Sequence, residues 1–270
     1  MRWFEPFTPS PDLGDVLECQ YVATTAGRHD LIPDGSMDLL WIEGTGLVLC
    51  GPDTRAWSFE LSAGTEVAGV RFRPGAAAGV FGLAATDVLD ERVPLSALVG
   101  SRVERIADER LAVATGAAAR LALLEELVRR RRPAEGVDDT VGLAMLVGRD
   151  PAFGVDRLAD ETGVSTRQLR RRFDRRVGYG PAFFARIARL QRFAHAAAGA
   201  PDGPSAGLAE LAVVAGYADQ SHLARDCRAL TDRTPRQLVE VLPRTSLAVG
   251  LGDVRSVQDG GRSGGRRLVA

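Results

Sequence analysis

Two clusters of side chains in this sequence have the chemistry needed to read the edges of base pairs. Thr166, Arg167, Arg170 and Arg171 form the first, and Gln220, Ser221, His222 and Arg225 form the second. Arginine carries a planar fork that pairs with O6 and N7 of guanine, glutamine can do the same at adenine, and hydroxyls serve several acceptors and donors. Such groups discriminate between bases only when a rigid element holds them in the major groove.

The neighbouring residues describe that element. Leu158 and Ala159 give a short first helix its apolar and small face, and Gly163 suits the left-handed conformation that closes it. Ser165 or Thr166 can cap the next helix by accepting a hydrogen bond from an unpaired backbone N–H. Leu169 and Phe173, four apart, turn inward, which leaves Arg167, Arg170 and Arg171 outward. The pattern recurs downstream. Leu208 and Leu211 face inward, Gly216 closes the helix, Asp219 caps the next one, and Leu223 and Cys227 form the inward pair. Each copy is a helix-turn-helix, with second helices expected at about 166–176 and 220–229. Arg175, Arg176, Arg228 and Arg233 lie farther along and suit phosphates or solvent.

One such hairpin is as easily a structural unit with a solvated arginine face. Here two copies flank the segment 181–198, whose apolar residues recur at helical spacing behind a proline at a tolerated first-turn position. A rigid spacer between two reading heads points to duplex DNA. The charge distribution agrees. The net charge of −1 conceals an acidic first part, with 15 Arg and 23 acidic residues in 1–150, and a basic second part, with 15 Arg and 10 acidic residues in 151–245. The basic part suits a phosphate backbone.

Residues from about 150 to 242 resemble the DNA-binding domain of AraC/XylS-type bacterial transcription regulators. The resemblance is carried by Leu158-Ala159, Gly163-Val164-Ser165, Leu169 with Arg171 and Phe173, and Gly178-Tyr179-Gly180-Pro181. It continues through Arg189-Leu190-Gln191-Arg192, Leu211-Ala212, Gly216-Tyr217, Asp219-Gln220-Ser221-His222-Leu223 and Thr234-Pro235. It implies two recognition helices in successive major grooves, with base-reading positions at Arg167, Arg170, Arg171, Gln220, Ser221 and Arg225. It further implies a cytoplasmic regulator, with a small-molecule effector, a homodimer and RNA polymerase as possible partners. Cys227 stands where the family usually has Phe, and Asp232 where it usually has Gly. The second head is therefore expected to pack less tightly than the first.

The expected fold class is α+β multidomain. A small β-barrel or sandwich followed by helices makes up residues 1–133, with 1–75 β-rich and 76–132 helical. A connecting helix occupies 134–150, an all-α double helix-turn-helix domain 151–244, and a Gly-, Ser- and Arg-rich tail, expected to be disordered, 245–270. Strands are expected at Leu17–Thr24, Met37–Ile42, Gly46–Cys50, Ala56–Leu61 and Glu66–Phe72, separated by turn clusters. Helices are expected at Ala76–Phe81, Pro94–Val99, Arg102–Val113 and Thr115–Arg132. Pro33-Asp-Gly-Ser-Met-Asp-Leu-Leu-Trp41, Gly51-Pro-Asp-Thr54 and Gly69-Val-Arg-Phe-Arg-Pro-Gly75 resemble a domain found on other AraC-type regulators, which implies a sensor or dimerisation role. The alternative is a ligand-binding or enzymatic first half with the helical domain as an accessory DNA tether.

Other chemistries find little support. His29 is the one histidine in the first half, so His29, Asp30, Asp34 and Asp38 read as turn and surface residues and no metal is expected. Cys19 and Cys50 read as core residues, three cysteines make no disulfide framework, and no Ser-His-Asp set can be assembled. Neither an enzyme nor a cofactor is therefore expected. Trp41, Trp57 and Phe72 read as barrel core more readily than as the wall of an apolar pocket. Arg129 to Arg132 read as cations complementing a helix C-terminus. No apolar run approaches membrane-spanning length, and the first residues lack a signal-peptide pattern.

Overall fold

Alternation along the central strands sets the architecture of the first half. In Met37–Ile42, residues Met37, Leu39 and Trp41 enter one apolar core, while Asp38, Leu40 and Ile42 face the opposite way. Glu66–Phe72 behaves alike, with Ala68, Val70 and Phe72 in that core and Val67 and Arg71 on the other side. A period of two puts successive side chains on opposite faces, and here both faces are covered.

The computed structural model describes residues 4–24, 27–133, 140, 142–144, 147, 155–199, 207–242, 245–246 and 255–256. In chain order the strands are β1 (Phe4–Thr8), β2 (Leu17–Thr24), β3 (Gly27–Leu31), β4 (Met37–Ile42), β5 (Gly46–Cys50), β6 (Trp57–Leu61), β7 (Glu66–Phe72) and β8 (Arg92–Pro94). The main sheet runs β1-β2-β7-β4-β5-β8, antiparallel throughout. β3 and β6 form a separate antiparallel pair, in register from Gly27–Leu61 to Leu31–Trp57.

Helices α1 (Ala76–Phe81), α2 (Ser96–Val99), α3 (Ser101–Val113) and α4 (Ala117–Arg131) accompany the sheet. Leu111 of α3 and Leu121, Leu124 and Val128 of α4 are buried in the same cluster as Leu39, Trp41, Val70 and Phe72. Each such side chain contributes roughly 1.5–3 kcal/mol by leaving water. Trp41 is held from the helical side, donating from its indole Nε1 to Asp108 at 2.9 Å, with the Arg120 guanidinium 4.9 Å from its ring. The arginine run at the end of α4 is pinned to the segment after β1, where Arg129 pairs with Asp12 and Arg132 with Asp15, while Arg130 pairs with Glu126 within the helix. These partners take the cations beyond the expected helix-terminus role.

The second half is helical: α5 (Val155–Thr162), α6 (Thr166–Val177), α7 (Pro181–Gly199), α8 (Leu208–Val214), α9 (Gln220–Thr231) and α10 (Pro235–Val241). Leu158, Leu169, Phe173, Ile187, Leu190, Phe193, Leu211, Leu223, Cys227 and Leu238 share one core. Most of the expected connecting helix lies outside the described residues. Those described there, 140, 142–144 and 147, are helical, and Leu143, Ala144 and Val147 join the same core. Of the tail, Thr245–Ser246 pairs in parallel with β3 and Arg255–Ser256 with β1. At these two dipeptides the expectation of a disordered tail is corrected, because open strand edges offer unpaired backbone groups to any nearby chain.

Candidate nucleic-acid interface and an internal cavity

The first recognition element begins at a reciprocal cap. The Ser165 hydroxyl accepts from the Gln168 N–H, and the Gln168 side chain accepts from the Ser165 N–H at 3.1 Å. Gly163, with φ of +66°, ends α5 in the conformation that an ordinary side chain resists. Leu169, Phe173 and Val177 bury one face of α6. Arg167, Arg170 and Arg171 are exposed on the remaining surface, and Thr166 is half-buried at the first turn.

The second element repeats the construction with different parts. Asp219 caps α9 by accepting from the His222 N–H at 2.7 Å, and Gly216 takes a φ of +87°. Gln220, Ser221 and Arg225 are exposed. His222 is half-buried, with its ring edge-on to Tyr217 at 5.1 Å, so packing claims much of its surface. Asp232 closes α9 with φ of +54°, serving where glycine was expected. Cys227 is fully buried, and burial pushes its thiol up to about 12, so it is a core residue without thiolate character.

Between the two elements, α7 is tied to the second. Arg186 donates to the buried Asp226 of α9 from Nε at 3.0 Å, and Arg192 donates to the Ala215 carbonyl at 3.1 Å. The rings of Phe173 and Phe184 meet edge-on at 6.4 Å and join α6 to α7. Among the remaining arginines, Arg175 and Arg228 are exposed. Arg233 is taken up by Asp30 of β3 at 3.0 Å, so the expectation that it contacts phosphate or solvent is corrected.

A cavity of about 250 Å³ lies between the main sheet and the β3–β6 pair. Leu40, Ile42, Val48, Val67, Trp57 and Phe59 supply apolar wall. Its polar floor is built on Arg71, which is only 4% exposed. Arg71 donates from Nε to Asp38 Oδ1 at 3.0 Å and from Nη2 to Asp38 Oδ2 at 3.1 Å, and lies 3.2 Å from Asp34. The Tyr21 hydroxyl donates to Asp38 at 2.8 Å. Its ring lies where a side chain on Gly69 would stand, 2.6 Å from the position of a Cβ. At the other end Arg92 pairs with Asp53 at 2.7 Å and stacks on Trp57 at 3.9 Å, while its buried Nε has no acceptor among the described residues. Of the three aromatic residues expected in the core, Trp41 and Phe72 are there, but Trp57 lines this cavity.

The loops that carry the cavity's carboxylates also touch the helical half. Ile32 belongs to the helical core, and the Pro33 carbonyl accepts a buried hydrogen bond from Gln191 of α7 at 2.6 Å. Gly35, at φ of +83°, lies under Phe184, so close that a Cβ would come within 2.4 Å of the ring. The Ala56 N–H donates to the Leu230 carbonyl of α9 at 2.7 Å. None of these contacts was foreseen from sequence. The nearest signal was the clustering of Pro, Asp and Gly in 32–36, which reads only as a turn.

Two capped helices with opposite apolar and arginine-bearing faces, joined by a helix that braces both, define a double helix-turn-helix protein. Residues 158–240 match the helix-turn-helix domain family, and residues 5–94 match a domain of unknown function, DUF6597. Residues 158–240 thus carry a helix-turn-helix domain, the unit that the resemblance to AraC/XylS-type regulators implied. No curated protein matches it. Among solved structures it is similar to ToxT from Vibrio cholerae O395, at 11% identity and a TM-score of 0.43, covering 82% of this chain and 98% of that one. It is likewise similar to wild-type ToxT of strain SCE256 bound to an unsaturated fatty acid, at 10% identity and a TM-score of 0.44, covering 82% and 95%. Among the described residues, no helix is long and apolar enough to cross a membrane.

Proposed function

We propose that this regulator reads duplex DNA in the cytoplasm by placing α6 and α9 in adjacent major grooves, roughly 34 Å apart along one face. The observation that carries the reading is that both helices are anchored by a polar cap and a buried face, while arginines and small polar groups stay exposed. Arg167, Arg170 and Arg171 on α6 and Gln220, Ser221 and Arg225 on α9 would meet base edges. Thr166 and His222, both half-buried, would act at the margins. The site would span two helical turns with unlike halves, because the two faces differ. Basic residues elsewhere on the domain would supply affinity through phosphates, and the base contacts would supply sequence choice.

Selection of random duplex DNA by the full-length protein, repeated over a range of salt concentrations, tests this. The expected product is a bipartite motif with determinants one helical turn apart. Arg171→Ala should then weaken binding to that site by about 1–3 kcal/mol, the worth of a good bidentate base contact. An equal loss on random DNA would assign Arg171 to phosphate, and sequence-blind, salt-sensitive retention would end the reading.

The cavity supports a second element of function. A space with apolar walls, a few convergent charges and loops seated on α7 and α9 fits a small-molecule sensor better than a purely structural barrel.

A further inference from the structure

We propose that the cavity takes an organic ammonium ion, a ligand with one protonated nitrogen, an apolar body and about ten non-hydrogen atoms. The size follows from the volume: a cavity of ~150 Å³ accommodates benzene, and this one measures about 250 Å³. The proposal rests on reading the cavity as a sensor site and names what it senses.

The charge argument starts from the lining. Asp34, Asp38 and Asp53 face Arg71 and Arg92, so acid exceeds base, and Glu18 stands behind Ser36 at 3.5 Å. Both guanidinium groups are already engaged. Arg71 is forked onto Asp38 and also holds Asp34, and Arg92 holds Asp53 while lying against Trp57. An anion would have to displace one of these carboxylates and then sit beside the others. A cation meets no such competition, because an ionised carboxylate offers about four acceptor positions. Asp34 uses one oxygen on the Ser36 N–H and the other on Arg71, leaving lone pairs for another donor.

Burial of unbalanced charge is costly unless something neutralises it. Burial pushes Asp34 up, Asp53 up to about 6 and Glu18 up to about 7, against the opposing pull of Arg71 on Asp34 and Glu18 and of Arg92 on Asp53. A bound ammonium supplies the missing charge. The rings of Tyr21, Trp57 and Phe59 on the wall favour the same sign, since an aromatic face attracts cations. The unmatched Arg92 Nε asks for no more than one neutral acceptor on the ligand.

Calorimetric titration of the full-length protein with three shape-matched probes tests the proposal: 3-phenylpropylamine, 3-phenylpropan-1-ol and 3-phenylpropanoate. The expected result is saturable one-to-one binding of the amine, about tenfold or more tighter than the alcohol, with no heat from the carboxylate. Asp34→Asn, which keeps the side-chain shape, should weaken the amine about tenfold and leave the alcohol unchanged. If that variant does not fold, the wild-type ranking decides by itself. Equal or tighter binding of the alcohol or the carboxylate overturns the cation assignment and leaves the sensor reading standing. Silence from all three probes at millimolar concentration, with DNA binding intact, removes both.

Discussion

Arg71 holds the floor of the cavity, and its removal has a predictable cost. Its guanidinium is the counter-charge to both Asp34 and Asp38, and it is almost fully buried. Breaking a buried ion pair by deleting one partner leaves an uncompensated charge and costs about 3–5 kcal/mol. Arg71→Ala should lower stability in chemical denaturation by that amount. A loss below about 1 kcal/mol would mean that water reaches the two carboxylates, against the burial seen here. The sequence held a signal for this residue. Asp38 and Arg71 sit in strands whose other residues, apart from the exposed Glu66 at the start of β7, are apolar on both faces, and a charge placed there needs an internal partner. Their pairing was not legible, because register between β4 and β7 is a tertiary fact. Cys227 shows the opposite case: four residues after Leu223, it was readable as core despite its small size.

At the scale of elements, the caps were the most legible features and they are directly testable. Ser165 and Asp219 each satisfy a backbone N–H that the helix cannot pair internally. Ser165→Ala should cost about 1 kcal/mol of stability in urea, within a usual range of ~0.5–2. Thermal or denaturant curves that match the wild type would show that Gln168 alone sustains the first turn. Strands with apolar alternation, such as β2, β4, β5 and β7, were expected with the bounds they have. β1, β3 and β8 were not. β1 contains Pro6 near the edge of the main sheet, where a missing donor is tolerated. β3, Gly-Arg-His-Asp-Leu, has no apolar period and exists because β6 pairs with it. β8 is too short to leave a pattern, and its last residue, Pro94, reads as the start of the following helix.

For the whole molecule, the consequential feature is that residues 32–36 belong to two places at once. Asp34 and Ser36 line the cavity, while Ile32, Pro33 and Gly35 sit in the helical half against α7. Because α7 is also braced to α9 through Arg186 and Asp226, this loop and the second reading head are seated on the same helix. Gln191→Ala isolates the connection. The substitution leaves the Pro33 carbonyl without its donor in a buried setting, which costs about 1–3 kcal/mol. Local opening would absorb that cost first, because a loop opens at lower free energy than the core strands beside it. Hydrogen exchange on the full chain should therefore quicken at Gly35 and Ser36 and along the middle of α7 together, with β4 and β7 unchanged. Faster exchange in α7 alone would show that the loop is held by its cavity-side bonds and transmits nothing. Faster exchange at both ends of Gln191's bond would mark a mechanical link by which cavity occupancy sets the spacing of α6 and α9.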